Sequence, residues 1–305
     1  MKAVSNSFNR LNDTYFKYVL ASPERKYLTI EFLNAALSYY CEIRGEASVV
    51  ISDVIFLDRE SVAGNEGEKV PRFDIFVRSS DGRLFHIEVQ VLRDEFFLQR
   101  GFFYASRDYI FQSGRGLSYK NFEPVIFIGL VNFNLMGEHG VPRDWYTLHR
   151  VTNVVNHETV FNNVEFHMIE LPVLRLQLRK TKKEPSTKLE KLLFYFGSIG
   201  GEEMMQAPAE KDSTIADLID CEQRFMADKL LMRRYDLDEK ARLDYLANCD
   251  VLINKNLEKG RKEGLEKGRA EAREEVARNL KLRGKDTYEE ISLISGLPIN
   301  VIAEL

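Results

Sequence analysis

Asp74, Glu88 and Gln90 are the residues of this 305-residue chain whose types and spacing could do chemistry. They lie in the stretch 70–93, VPRFDIFVRSSDGRLFHIEVQVLR, which alternates apolar and polar residues on either side of Ser79-Ser80-Asp81-Gly82. Period-two alternation predicts strands, and a Ser/Asp/Gly cluster predicts a turn between them. Side chains on a strand change face at every residue, so the loop length decides whether Asp74 and Glu88 share a face. A three-residue loop, Ser80-Asp81-Gly82, pairs Ser79 with Arg83 and sets Asp74 opposite Glu88, with Gly82 in the left-handed position of a type I turn plus bulge. An even loop would send Asp74 to the other face. Facing residues have Cβ atoms about 5 Å apart, and two carboxylates that close repel unless a cation lies between them. Mg²⁺ suits such a pair, because it takes one or two protein carboxylates and keeps waters for a substrate phosphate.

An Asp, a turn, then Glu-x-Gln resembles the PD-(D/E)XK nuclease motif, with Glu88-Val89-Gln90 in the place of (D/E)-x-K. The flanking residues resemble the Rpn family, the bacterial recombination-promoting nucleases and transposases. The likeness runs over roughly residues 8–200. It rests on Asp13-Thr14-Tyr15-Phe16-Lys17, on Phe32-Leu33-Asn34-Ala35-Ala36-Leu37, on Lys69, Arg72 and Asp74, and on Ile87-Glu88-Val89-Gln90. It continues through Arg100, Tyr104 and Ser106, the strand-like 124–133, and His167 to Pro172.

This resemblance implies an α/β fold, a restriction-endonuclease-like core with a mixed sheet flanked by helices and a helical C-terminal extension. It implies a Mg²⁺-dependent DNA endonuclease associated with recombination or a mobile element. Asp74, Glu88 and the main-chain carbonyl of Val89 would hold Mg²⁺ or another divalent cation. Gln90 departs from the motif's lysine: it can orient a water by hydrogen bonds but lends it no charge. Lys17, Lys69, Arg72 and Arg100 are candidates to meet phosphate or developing charge. Glu31, on the first long helix, is a candidate to join the metal site. The competing reading is a DNA-binding or assembly protein of a mobile element that keeps the fold without cleavage.

Helical spacing is expected over 11–20, 23–40 and 94–113, and strands over 49–57, 124–133, 145–151 and 164–171. In 94–113 the aromatic stripe that includes Phe96, Phe97, Phe103, Tyr104 and Phe111 is expected to pack on the sheet as core. The domain reading is 1–175 for the nuclease-like domain, 176–254 for a helical region, and 255–305 for a basic glycine-repeat helix with a small helix-turn-helix-like tail.

The composition, 44% hydrophobic and 11% aromatic, provides for a real core, and the net charge of −4 shows no global affinity for nucleic acid. Three widely separated cysteines, Cys41, Cys221 and Cys249, fit neither a disulfide framework nor a zinc cluster. The N-terminus has no signal-like apolar stretch, and the longest apolar run, 125–131, is far short of a membrane span. A cytoplasmic protein is expected. Charge is concentrated locally. Residues 175–191 are basic, and 255–285 carry 11 Lys and Arg against 6 Glu. Gly260, Gly264 and Gly268 recur every four residues, which places them along one helix stripe. A helix of this kind is expected to support self-association and to add non-specific DNA affinity. Residues 287–305 are expected to form two short helices about Gly296-Leu297-Pro298, with Ile291, Leu293, Ile294, Leu297 and Ile302 as their small core.

Overall fold

A computed structural model describes residues 8–45, 48, 50–57, 74–113, 118–135, 144–199 and 212–305. Lys69 and Arg72 lie outside the described residues. The chain divides into two compact units, Met1–Glu239 and Lys240–Leu305.

The first unit is built on a mixed six-stranded sheet of order β1-β2-β3-β4-β6-β5. Its strands are β1 (Val54–Phe56), β2 (Ile75–Ser79), β3 (Leu84–Gln90), β4 (Val125–Val131), β5 (Tyr146–Thr152) and β6 (Thr159–Glu170). β3, β4 and β6 run parallel at the centre, while β2 and β5 join them antiparallel. The central strand β4, VIFIGLV, is buried along its whole length, the pattern of a strand covered on both faces.

Alternate residues feed two cores. Ile75, Val77, Phe85, Ile87, Ile128 and Leu130 point to the larger one. It is shared with α1 (Asp13–Leu20), α2 (Lys26–Arg44), α4 (Leu171–Thr181), α5 (Lys188–Phe196) and α6 (Ser213–Ala227). Phe76, Leu84, Phe127, Val131 and Met168 point to the other face, where α3 (Phe97–Ile110) packs through Phe97 and Ala105. This α/β architecture, with helices on both faces of a mixed sheet, is the one the sequence resemblance implies.

The face α3 shows to the sheet corrects one expectation. Phe97 is buried, but Phe96, Phe102, Phe103, Ile110 and Phe111 are exposed. Gly101 explains which face turns inward: a Cβ there would lie 2.9 Å from the Phe127 ring. Gly129 on β4 does the same from the sheet side, where a Cβ would lie 2.9 Å from both Phe97 and the Met168 sulfur. The helix thus seats on the sheet through its small residues. Gly129→Ala is expected to destabilise the first unit by about 1–3 kcal/mol, because a fully buried ring must move. Chemical denaturation followed by the fluorescence of Trp145, the one tryptophan, measures this.

Helix α7 spans Lys229–Arg283 without a break. Within the second unit, Gly260, Gly264 and Gly268 have nothing within 4 Å of the position a Cβ would take. Two short helices follow, α8 (Tyr288–Ser295) and α9 (Ile299–Glu304). α8 opens with a capping box between Thr287 and Glu290 and stops at Gly296, whose φ is +71°. Their Ile291 and Ile302 form a small core with Ala277 of α7, with Leu280, Leu297 and Leu305 against it. Leu293 and Ile294, expected inside, are exposed, because these short helices bury a single face. Among the described residues no helix is long and apolar enough to cross a membrane.

Candidate active site

The hairpin takes the odd-loop register. Ile75 pairs with Ile87, Phe76 with His86 and Val77 with Phe85, and this register carried one step past the end of the ladder sets Asp74 opposite Glu88. Ser79 donates its N–H to the Arg83 carbonyl at 2.9 Å, and Gly82 closes the turn on Ser79 at 3.0 Å with φ at +91°. Few residues other than glycine adopt that φ, so the loop length is set by local chemistry.

Asp74 stands at the mouth of β2. Its Oδ2 accepts a hydrogen bond from the Val89 N–H at 2.7 Å, which ties the carboxylate to the main chain of β3. Its Oδ1 lies 3.3 Å from the Lys17 ammonium. Lys17 is also 2.6 Å from Asp13, one helical turn earlier on α1. The side chain of Asn12 caps α1 by accepting from Thr14 and Tyr15, so the helix begins with Asp13 and Lys17 facing the hairpin.

Burial pushes the Asp74 carboxyl up to about 7, helped by its hydrogen bond to Asp13, against the pull of Lys17 and the Val89 N–H. Asp13 moves down: burial would raise it, but hydrogen bonds to Asp74 and Lys17 outweigh that. The shared proton belongs with Asp74, the more buried member of the pair. Lys17 is held above its ordinary value, because Asp74 and Asp13 overcome the effect of burial.

An acid whose pKa is raised on folding costs stability as pH climbs from about 4, its unfolded value, towards 7, and costs nothing further above that. In the metal-free chain Asp74 is expected to titrate near neutrality. Asp13→Asn, which removes a negative neighbour, is expected to move that titration to lower pH. Carboxyl ¹³C shifts measure both, and an unmoved midpoint would refute the Asp13–Asp74 coupling.

Glu88 is buried on the α3 face of β3, beside Gly129 of β4. Arg100 of α3 donates to Glu88 and, through its other terminal nitrogen, to Asp94 at 2.7 Å. Two residues before Glu88, His86 is fully buried, stacked on Phe76 and 2.7 Å from Asp108 of α3. α3 is thus fastened to β3 at Arg100–Glu88 and at Asp108–His86. Gln90 ends β3 half-buried, and its carbonyl accepts from the Asn132 N–H at 2.9 Å.

The sequence candidates divide on this geometry. At the end of the hairpin away from its turn, Asp74 meets Lys17 of α1 and the Val89 N–H, while Glu88 meets Arg100 of α3. Glu31 has its ion pair elsewhere, with Lys188 at 3.4 Å, where Lys188 also holds Asp212 at 2.7 Å. The acidic side chain that an early helix brings to Asp74 is Asp13, not Glu31. The sequence signal for Asp13 is its four-residue spacing from Lys17, which puts both on one helix face. In the basic segment 175–191, Arg175 is committed to Asn132 at 2.6 Å and to the Gly197 carbonyl at 2.8 Å.

Among the described residues no group of three or more His, Cys, Asp or Glu is placed to hold a metal ion. A cation at this end of the hairpin would rest on two carboxylates, a main-chain oxygen and its own waters. That donor set fits a hard divalent ion.

No curated protein and no solved structure matches the chain. A family model described as PD-(D/E)XK nuclease family transposase matches residues 10–251, which include every strand of the sheet and the Asp74–Glu88 hairpin. The chain belongs to the PD-(D/E)XK nuclease family transposases.

Proposed function

We propose that this protein is a divalent-cation-dependent DNA endonuclease, with Mg²⁺ as the expected ion and a mobile element or recombination as its setting. The observations that support the reading are the β2–β3 register, which carried one step past Ile75 and Ile87 sets Asp74 against Glu88, and the hydrogen bond that Asp74 accepts from the Val89 N–H. Asp74 and Glu88 would hold the cation. In an extended strand the carbonyl of a residue leaves on the same edge as its N–H, so the Val89 oxygen belongs to the same donor set. A bound divalent ion supplies polarisation of the phosphate and a water of lowered pKa.

The remaining work falls to the chain's own side chains. Gln90, at the end of β3, is suited to orient the attacking water by hydrogen bonds. Lys17 brings a full positive charge beside Asp74, which the Gln90 amide does not provide. Arg100 stands against Glu88 and is suited to offset charge on the phosphate oxygens. Lys69 and Arg72, which precede Asp74 in the chain, complete the candidate phosphate contacts.

Nicking of supercoiled plasmid, with and without Mg²⁺, tests the proposal. Relaxed circles are expected only when the cation is present. DNA binding without nicking under any divalent cation would favour the non-catalytic assembly protein.

A further inference from the structure

The outer face of α3, with its N-cap residue Phe96, carries three large apolar side chains at a spacing of seven residues, Phe96, Phe103 and Ile110. They are 69%, 62% and 63% exposed. A seven-residue repeat returns to the same side of a helix every two turns, so the three form one stripe along it. Beside it runs an apolar groove of about 430 Å³ between α3 and the β5–β6 pair, floored by Phe102 and Phe166 and bordered by Val151 and Phe161. Of these, Phe102 and Val151 are again more than half exposed.

The size of this surface can be set against what a stable dimer needs. Taking roughly 150–250 Å² per aromatic side chain, the stripe with Phe102, Val151 and Phe161 exposes on the order of 600 Å² of apolar area. The largest apolar patch on a monomer is about 300–600 Å². A standard interface buries about 800 Å² per partner, of which about 60% is apolar. The patch therefore meets the apolar requirement of a stable interface.

Its pattern is self-complementary. Phe103 lies midway between Phe96 and Ile110. A second α3 running antiparallel about a twofold axis at Phe103 therefore sets each Phe96 against the other copy's Ile110. The same operation sets Arg107 against Gln99 and Arg100 against Ser106, so no like charges face each other across the seam. A surface that matches itself in this way is what an isologous twofold contact requires.

We propose that α3 and the adjoining β5–β6 groove form a homodimer interface, with a second copy of this chain as the occupant. The proposal does not depend on cleavage, and its test reads mass and crosslinking in the full-length chain. In sedimentation velocity at tens of micromolar, the wild-type protein is expected at twice 35.4 kDa. The double variant Phe103→Glu/Ile110→Glu is expected at 35.4 kDa with an unchanged circular dichroism spectrum, since both positions are exposed.

Under oxidising conditions Phe103→Cys, which lies on the axis, is expected to form a covalent dimer absent from oxidised wild type. Phe96→Cys is not, because its two copies are separated by 14 residues of helix, about 21 Å. A monomeric wild type overturns the proposal. So does a dimer that survives the double variant, including one lost only when residues 255–305 are deleted, or equal crosslinking by Phe96→Cys and Phe103→Cys.

Discussion

Asp74→Asn and Glu88→Gln proteins are expected to bind DNA and to nick it at least about 10³-fold more slowly than wild type. Each change keeps the size of the side chain and removes one negative charge from the cation's donor set. A metal-held phosphate and nucleophile are worth several kcal/mol of transition-state stabilisation, and about 1.4 kcal/mol is a factor of ten. Asp74→Asn keeps an oxygen to accept from the Val89 N–H, so the hairpin should remain intact. Glu88→Gln keeps an oxygen for Arg100. Gln90→Ala is expected to cost less, about tenfold, because it deletes a neutral hydrogen bond worth about 1 kcal/mol. Plasmid nicking at saturating Mg²⁺ gives the order. Wild-type rates for Asp74→Asn or Glu88→Gln would remove the carboxylate pair from the chemistry, and a Gln90 effect as large as theirs would overturn the order.

The second large effect is on stability. Arg10 and Glu222 form a buried, two-pronged ion pair, at 2.5 Å through Nε and 3.0 Å through Nη2. The Tyr195 hydroxyl donates to Glu222 at 2.8 Å, the Tyr15 hydroxyl meets Tyr195, and Arg10 lies over the Tyr195 ring. Burial drives the phenols of Tyr15 and Tyr195 far above their ordinary range, so both remain neutral donors. This network ties the segment before α1 to α5 and α6. Glu222→Ala leaves a buried guanidinium without its counter-charge and is expected to cost about 3–5 kcal/mol. Arg10→Met/Glu222→Leu removes both charges and fills the space, and is expected to cost much less. Urea unfolding followed by Trp145 fluorescence compares the two. Equal losses would show that the pair itself, rather than a stranded charge, sets the stability.

Much of the fold was legible because its signals are local. Ser80-Asp81-Gly82 determines a turn of known length, and that length sets the register of Asp74 against Glu88. The run 125–131 reads as a strand covered on both faces and is one. Two features were not legible for the same reason, that long-range packing has no local signature. Aromatic residues occupy more than one side of α3, so periodicity does not say which side meets the sheet. Gly101 is the better guide, since it marks the side of closest approach. Asp13 and Glu31 are both acidic residues on early helices, and only the packing of α1 against the hairpin brings Asp13 to Asp74. The four-residue spacing of Asp13 and Lys17 hinted at a joint role without giving its place.

The short turn at Gly82 also bears on how this gene can vary. An added pair of residues between Ser79 and Arg83 would lengthen the hairpin and leave Asp74 and Glu88 on one face. A single added residue that shifted the pairing, instead of being absorbed in a four-residue loop, would turn one carboxylate away from the other. Insertions at this surface turn are therefore filtered by whether they shift the pairing, a constraint that burial or local stability would not disclose. A one-codon insertion remote from either carboxylate thus acts on the site through the pairing of β2 with β3.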